Sequence, residues 1–162
     1  MTQSIVSKNN FVGTWKLVEF KSVDSENKIN YPLGKNSQGY IIYTQDGYMS
    51  TSIMMNIRSN IGLSIEEMQN LKNIALNPKL IVNFWKYIKA IFRYFQAATS
   101  YTSYSGTYEI SDNKIIHHVE VSLVPDWIGI DFERTFEFLG NKLILMPPKV
   151  GNVSFYLTWQ RI

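Results

Sequence analysis

The sequence predicts a mainly β protein, an eight-stranded antiparallel up-and-down barrel interrupted by a two-helix insertion at about residues 55–102. Three observations carry that prediction. Short segments alternating apolar and polar residues recur on both sides of the insertion, tight-turn dipeptides join several of them, and the hydrophobic period lengthens only within residues 64–95. A chain of 162 residues with so many short strands avoids exposed sheet edges most simply by closing into a barrel.

The first strand is expected over residues 12–21, followed by a turn-rich loop through Asn27, Asn30, Pro32, Gly34 and Asn36. Strands at 39–44 and 48–54 flank Gln45-Asp46-Gly47, where Asp-Gly is a strong hairpin signal. At Ser64-Ile65-Glu66-Glu67 the pattern becomes that of a capped helix with acidic residues in its first turn, running to about residue 76 and stopped by Asn77-Pro78. A second helix follows over residues 80–95. Its apolar positions Leu80, Ile81, Phe84, Trp85, Ile88, Ile91, Phe92 and Phe95 recur at steps of three and four, with Asn83, Lys86, Arg93 and Gln96 on much of the other side. Five more strands complete the count, at about 104–110, 114–122, 130–139, 142–146 and 153–161, with Asp112-Asn113 and Gly140-Asn141 as turns. The whole, residues 1–162, reads as a single domain without repeat or linker.

Composition narrows the function. With no cysteine there is no thiol nucleophile and no thiolate-bound zinc. His117 and His118 are the only histidines, and adjacent strand residues face opposite ways, so they cannot grip one metal together. No cofactor or metal is expected, since phosphate-binding glycine loops, a nucleophile elbow and paired-carboxylate metal motifs are missing. The polar start of the chain and the lack of a long apolar stretch predict a cytoplasmic protein without a transmembrane segment. Ten Tyr, nine Phe and four Trp suit strands and an aromatic pocket. Between Glu67 and Glu109 there is no acidic residue, whereas Lys72, Lys79, Lys86, Lys89 and Arg93 all fall there. Without a nucleic-acid-binding signature, that basic segment reads as a solvated helix face, with docking on a partner or membrane as the rival. The greasy stripe of the same helix is expected to cover the barrel mouth or to form a homodimer.

The segment 130–138 holds the sharpest chemical clue. Its even positions Ile130, Phe132, Phe136 and Phe138 are apolar, and Arg134 stands among them. A guanidinium on an inward face needs a carboxylate partner or a wet cavity. If the connection 125–129 is symmetric about Trp127, Glu120 opposes Arg134 and shares its face, bringing His118 with it; a one-residue slip puts Val119 there instead. Periodicity alone sends Ile115, His117, Val119 and Val121 inward. The pairing with Glu120 is the expectation adopted, because it supplies Arg134 with a counter-charge. Arg134, Glu120 and His118 would then form a polar floor, with Phe132, Phe136, Tyr43, Tyr48, Tyr104 and Tyr108 as candidate aromatic lining. Trp15, Trp159 and Arg161 read as structural.

Several segments together carry a family resemblance: Gly13-Thr14-Trp15-Lys16-Leu17, Tyr31-Pro32-Leu33-Gly34, Tyr43 to Ser50, Gly106-Thr107-Tyr108-Glu109, His117-His118-Val119-Glu120, Trp127-Ile128-Gly129 and the closing Thr158-Trp159-Gln160-Arg161. The chain resembles the bacterial and fungal lipocalin-like domain family, of calycin type. The resemblance implies a small barrel with an interior cavity and an Arg of the last strand covering a Trp of the first. It carries no single activity. Binding of a small hydrophobic or amphipathic molecule is the first expectation, and a cofactor-independent cyclase or isomerase of a natural-product intermediate, using His118, Glu120 and Arg134, is the second.

Overall fold

In the computed structural model, which describes residues 7–69 and 84–162, the alternating segments form one sheet that closes on itself. The strands are β1 (Gly13–Val23), β2 (Ile29–Asn30), β3 (Gln38–Tyr43), β4 (Tyr48–Met54), β5 (Tyr101–Ser111), β6 (Lys114–Ser122), β7 (Asp131–Leu139), β8 (Lys142–Met146) and β9 (Ser154–Arg161). Each pairs antiparallel with its neighbour in the order β2-β1-β3-β4-β5-β6-β7-β8-β9, and β1 also pairs with β9. The two-residue β2 only extends the far end of β1, so eight strands build the wall. Burial follows the alternation: along β3, Gly39, Ile41 and Tyr43 face inward, and Gln38, Tyr40 and Ile42 face solvent. The β3–β4 hairpin turns on Asp46-Gly47, where Gly47 takes a φ of +99° that residues with a Cβ avoid.

One end of the barrel is plugged by its own chain. A single-turn helix, α1 (Lys8–Phe11), drives Phe11 into the interior, where its ring meets Tyr43, Phe136 and Phe138 at centroid distances of 5.6, 4.9 and 5.0 Å. The Phe11 carbonyl accepts a 2.7 Å hydrogen bond from the Trp15 indole N–H. Arg161 lies 4.1 Å over the Trp15 ring and donates to the carbonyls of Val12 and Asn10. This is the Trp–Arg cover that the resemblance implies; the plugging turn ahead of it has no counterpart among the sequence expectations.

A β-bulge shapes another stretch of wall. The β5–β6 pairing runs Ser105↔Val121 and then Gly106↔Val119, leaving Glu120 as the extra residue. The backbones come so close there that a Cβ on Gly106 would lie 1.9 Å from the His118 carbonyl oxygen. Only glycine fits.

Residues Ile57–Ser100 form a second compact unit. Helix α2 (Ile65–Gln69) carries the expected capping box, the Glu67 N–H donating to Ser64 Oγ at 3.1 Å and the Ser64 N–H to Glu67 Oε2 at 2.9 Å. Helix α3 (Phe84–Thr99) is held within the unit by a Lys86–Glu67 ion pair and by Arg58, which donates to the Ala97 carbonyl at 2.8 Å. The expected Asn77-Pro78 stop and the start of the second helix at residue 80 lie outside the described residues. Among the described residues, no helix is long and apolar enough to cross a membrane.

Candidate functional site

The interior charge is where the alternation put it, but its expected partner is not. In the β6–β7 hairpin Arg134 opposes Ile115, Phe132 opposes His117 and Asp131 opposes His118. Glu120 does not face Arg134. The connection is not symmetric about Trp127: a 3-10 turn at Pro125–Trp127 and the bulge at Glu120 shift the register and reverse its parity. Ile115, His117 and Val119 therefore point inward, as periodicity alone indicated, while Glu120 and, past the bulge, Val121 are exposed, against the inward place periodicity gave Val121. His118 lies on the outer face, where its Nδ1 meets Asp131 Oδ1 at 2.7 Å and its Nε2 lies 3.8 Å from Glu109. The expected inward group of His118, Glu120 and Arg134 is thus corrected, because two of its members stand on the solvent side of the sheet. Tyr48 is exposed as well, its alternation in β4 placing it outward.

The histidine that does enter is His117, fully buried between two tyrosines. Its Nε2 lies 2.8 Å from the Tyr43 hydroxyl and its Nδ1 2.9 Å from the Tyr104 hydroxyl, which also accepts a long 3.4 Å hydrogen bond from Arg134. Burial first, and then the Arg134 charge, hold the His117 pKa well below the usual histidine range. Burial raises both tyrosines, with Arg134 opposing the rise. All three rings are therefore neutral at pH 7.

A neutral imidazole has one N–H and one acceptor nitrogen, so the hydrogens can be assigned by counting. If Nε2 carried the proton, the Tyr43 hydroxyl hydrogen would be left without an acceptor in a sealed core. With the proton on Nδ1, Tyr43 donates to Nε2 and Nδ1–H donates to Tyr104. The one unused hydrogen is then that of Tyr104, a residue in the cavity wall. An unmet donor costs less facing a cavity than inside packed core, so the Nδ1–H tautomer is assigned.

The cavity beside this network has a volume of about 260 Å³. Its wall is largely apolar, with Phe20, Trp127, Phe132, Leu145, Leu157 and Trp159 among its residues. Tyr104, Trp127 and Phe132 meet edge to face at 5.3 to 6.3 Å and stiffen one side. Into this surface comes Arg134, whose guanidinium lies 5.1 Å over the Phe132 ring and donates to its neighbour's carbonyl at Glu133. It has no carboxylate partner among the described residues. The Trp159 indole N–H, buried in the same wall, likewise has no acceptor there.

Of the expected lining, Phe132, Tyr104 and Arg134 border the cavity. Tyr43 and Phe136 pack around Phe11, and Tyr108 meets Tyr43 edge to face at 4.9 Å while donating to the Thr44 carbonyl at 2.9 Å. Trp127 and Trp159 were read from sequence only as a turn centre and a structural residue. Nothing in a strand's period announces an aromatic dropped in from a connecting loop. His117 left a readable signal: a histidine between Ile115 and Val119 requires polar neighbours inside. Among the described residues no three His, Asp or Glu side chains gather in a metal-binding group.

A closed antiparallel wall around an apolar cavity with a few polar groups in it is an up-and-down β-barrel with a small interior cavity. More narrowly, residues 12–162 match the lipocalin-like domain model, and the chain belongs to that family. Similar solved structures include a lipocalin-like protein from Bacteroides uniformis (8% identity, 94% of this chain and 99% of that one, TM-score 0.44). Others are the wild-type fluorescent protein UnaG (11% identity, 96% and 100%, TM-score 0.39) and a de novo designed fluorescence-activating β-barrel (10% identity, 98% and 100%, TM-score 0.42). No functionally curated protein matches the sequence.

Proposed function

We propose that the barrel binds a small hydrophobic molecule bearing a carboxylate or a strongly polarised carbonyl group. The observation that carries this reading is Arg134, a cation in an aromatic wall with no carboxylate among the described residues to neutralise it. Beside it, Tyr104 offers a hydroxyl hydrogen that the His117 network leaves unused, so two donors converge on one side of the cavity. An acidic oxygen accepting from both would satisfy them, in surroundings where charge-assisted hydrogen bonds are strong.

Size limits the class. An apolar cavity of about 150 Å³ admits benzene, so about 260 Å³ suits a body of one or two rings. Calorimetric titration of 2-naphthoate and its neutral isostere 2-naphthamide tests the reading. The wild type should prefer the acid, and Arg134→Met should reduce that preference by about tenfold to a hundredfold, the range of a charge-assisted hydrogen bond. Equal affinities for acid and amide, or an unchanged preference in the variant, would remove Arg134 from the role.

A further inference from the structure

The helical unit presents a second surface that the cavity does not explain. At 100° per residue, Ile88, Ile91, Phe92 and Phe95 fall within one arc of about 100° on α3. All four are exposed, Ile91, Phe92 and Phe95 by 61% or more. The opposite side packs inside the unit, where Ala90 is buried and the Ala97 carbonyl is held by Arg58. Trp85 extends the exposed arc at its N-terminal end and Lys89 follows along that edge, while Arg93 and Lys86 lie farther round toward the packed side, Lys86 paired with Glu67. A helix that turns large aromatic and aliphatic side chains to solvent, with a lysine at their edge and further cations elsewhere in its unit, has the makeup of an interfacial helix.

Charge decides between the occupants of such a face. Residues 57–100 hold six of the sixteen Lys and Arg but only two of the thirteen Asp and Glu. The rest of the chain thus has ten basic and eleven acidic residues, and the whole positive excess sits in this unit. A second copy would set like charge against like charge around the apolar arc. An anionic bilayer accepts the cations at its headgroups and the apolar arc at the acyl boundary, satisfying both parts at once.

We propose that α3 docks the protein reversibly on anionic membrane surfaces. Its rings enter the headgroup region, Lys89 pairs with a lipid phosphate, and the net positive charge of the unit adds attraction to the anionic surface. The helix lies in the interface plane and does not cross. This stands apart from the cavity reading, since it rests on different residues and a different unit.

Co-sedimentation of the full chain with extruded vesicles tests it, comparing pure phosphatidylcholine with phosphatidylcholine containing one third phosphatidylglycerol. Partitioning should be at least about tenfold stronger on the anionic vesicles and should weaken in roughly 0.5 M salt. Lys89→Glu should lower it about fivefold or more, the scale of one basic residue at such a surface. Phe92→Ser with Phe95→Ser should lower it by more than about tenfold through lost apolar insertion. Equal binding to both vesicle types, no binding to either, or indifference to both variants would overturn the proposal. So would sedimentation velocity showing a dimer that Phe92→Ser disperses, which would assign the face to a second copy.

Discussion

His117 should make the fold sensitive to mild acid, and the size of the effect follows from its surroundings. The ring is fully buried and neutral, one nitrogen accepting from Tyr43 and the other donating to Tyr104, with the Arg134 charge close by. In the unfolded chain the same ring titrates near about pH 6.5. Its folded pKa is lowered, so above about pH 6.5 neither state holds the proton and the group is silent. As pH falls through that value the unfolded chain gains a proton that the fold refuses, and stability declines with a slope approaching about 1.4 kcal/mol per pH unit. In a domain of this size each pH unit at that slope is worth about 3–6 °C in Tm. The assay is urea denaturation of wild type and His117→Gln at half-unit steps between about pH 7.5 and about pH 5. The variant is expected to be less stable near about pH 7.5 but to lose less on acidification, by up to about 1.4 kcal/mol for each unit below about pH 6.5. Parallel stability curves would mean that His117 accepts a proton in the fold, and the tautomer assignment would fall with it.

Two further outcomes follow from the wall itself. Gly106→Ala sets a methyl group against the His118 carbonyl, which is backbone and cannot swing away; the loss should reach or exceed the roughly 1–3 kcal/mol of an overpacked core, read from the urea midpoint. His118→Ala and Glu120→Gln change side chains on the outer face; titration should show affinity for 2-naphthoate within about twofold of wild type, as for surface substitutions clear of a site, and a larger loss would mean that these residues reach the ligand from outside.

The barrel was legible because its signals are local. Alternation in β3, β4 and β7, the Asp46-Gly47 turn and the Ser64–Glu67 cap each depend on residues a few positions apart, and each appears as expected. The inward direction of Arg134 was legible for the same reason. Its partner was not, because register depends on the geometry of the loop between the strands. A bulge at Glu120 and a 3-10 turn at Pro125–Trp127 change the pairing parity without disturbing either strand's own alternation. Choosing Glu120 to neutralise Arg134 presumed that the charge must be satisfied within the chain. The observed register leaves it to the cavity. The His117 network was out of reach for a related reason, since Tyr43 lies 74 residues from the histidine it meets.

The pairing of β1 with β9 also governs when the barrel can exist. Arg161 reaches the Val12 carbonyl across 149 positions of sequence, and the bonds that close the wall join the first strand to the last. During synthesis a chain lacking β9 has an open sheet, with β1 unpaired along one edge and the Trp15 ring without its cation. The cavity therefore forms only once β9 has been made, and closing the wall between strands so far apart in sequence favours slow folding. Until that moment the nascent sheet offers an edge for mispairing, so the last strand serves as seal and safeguard together.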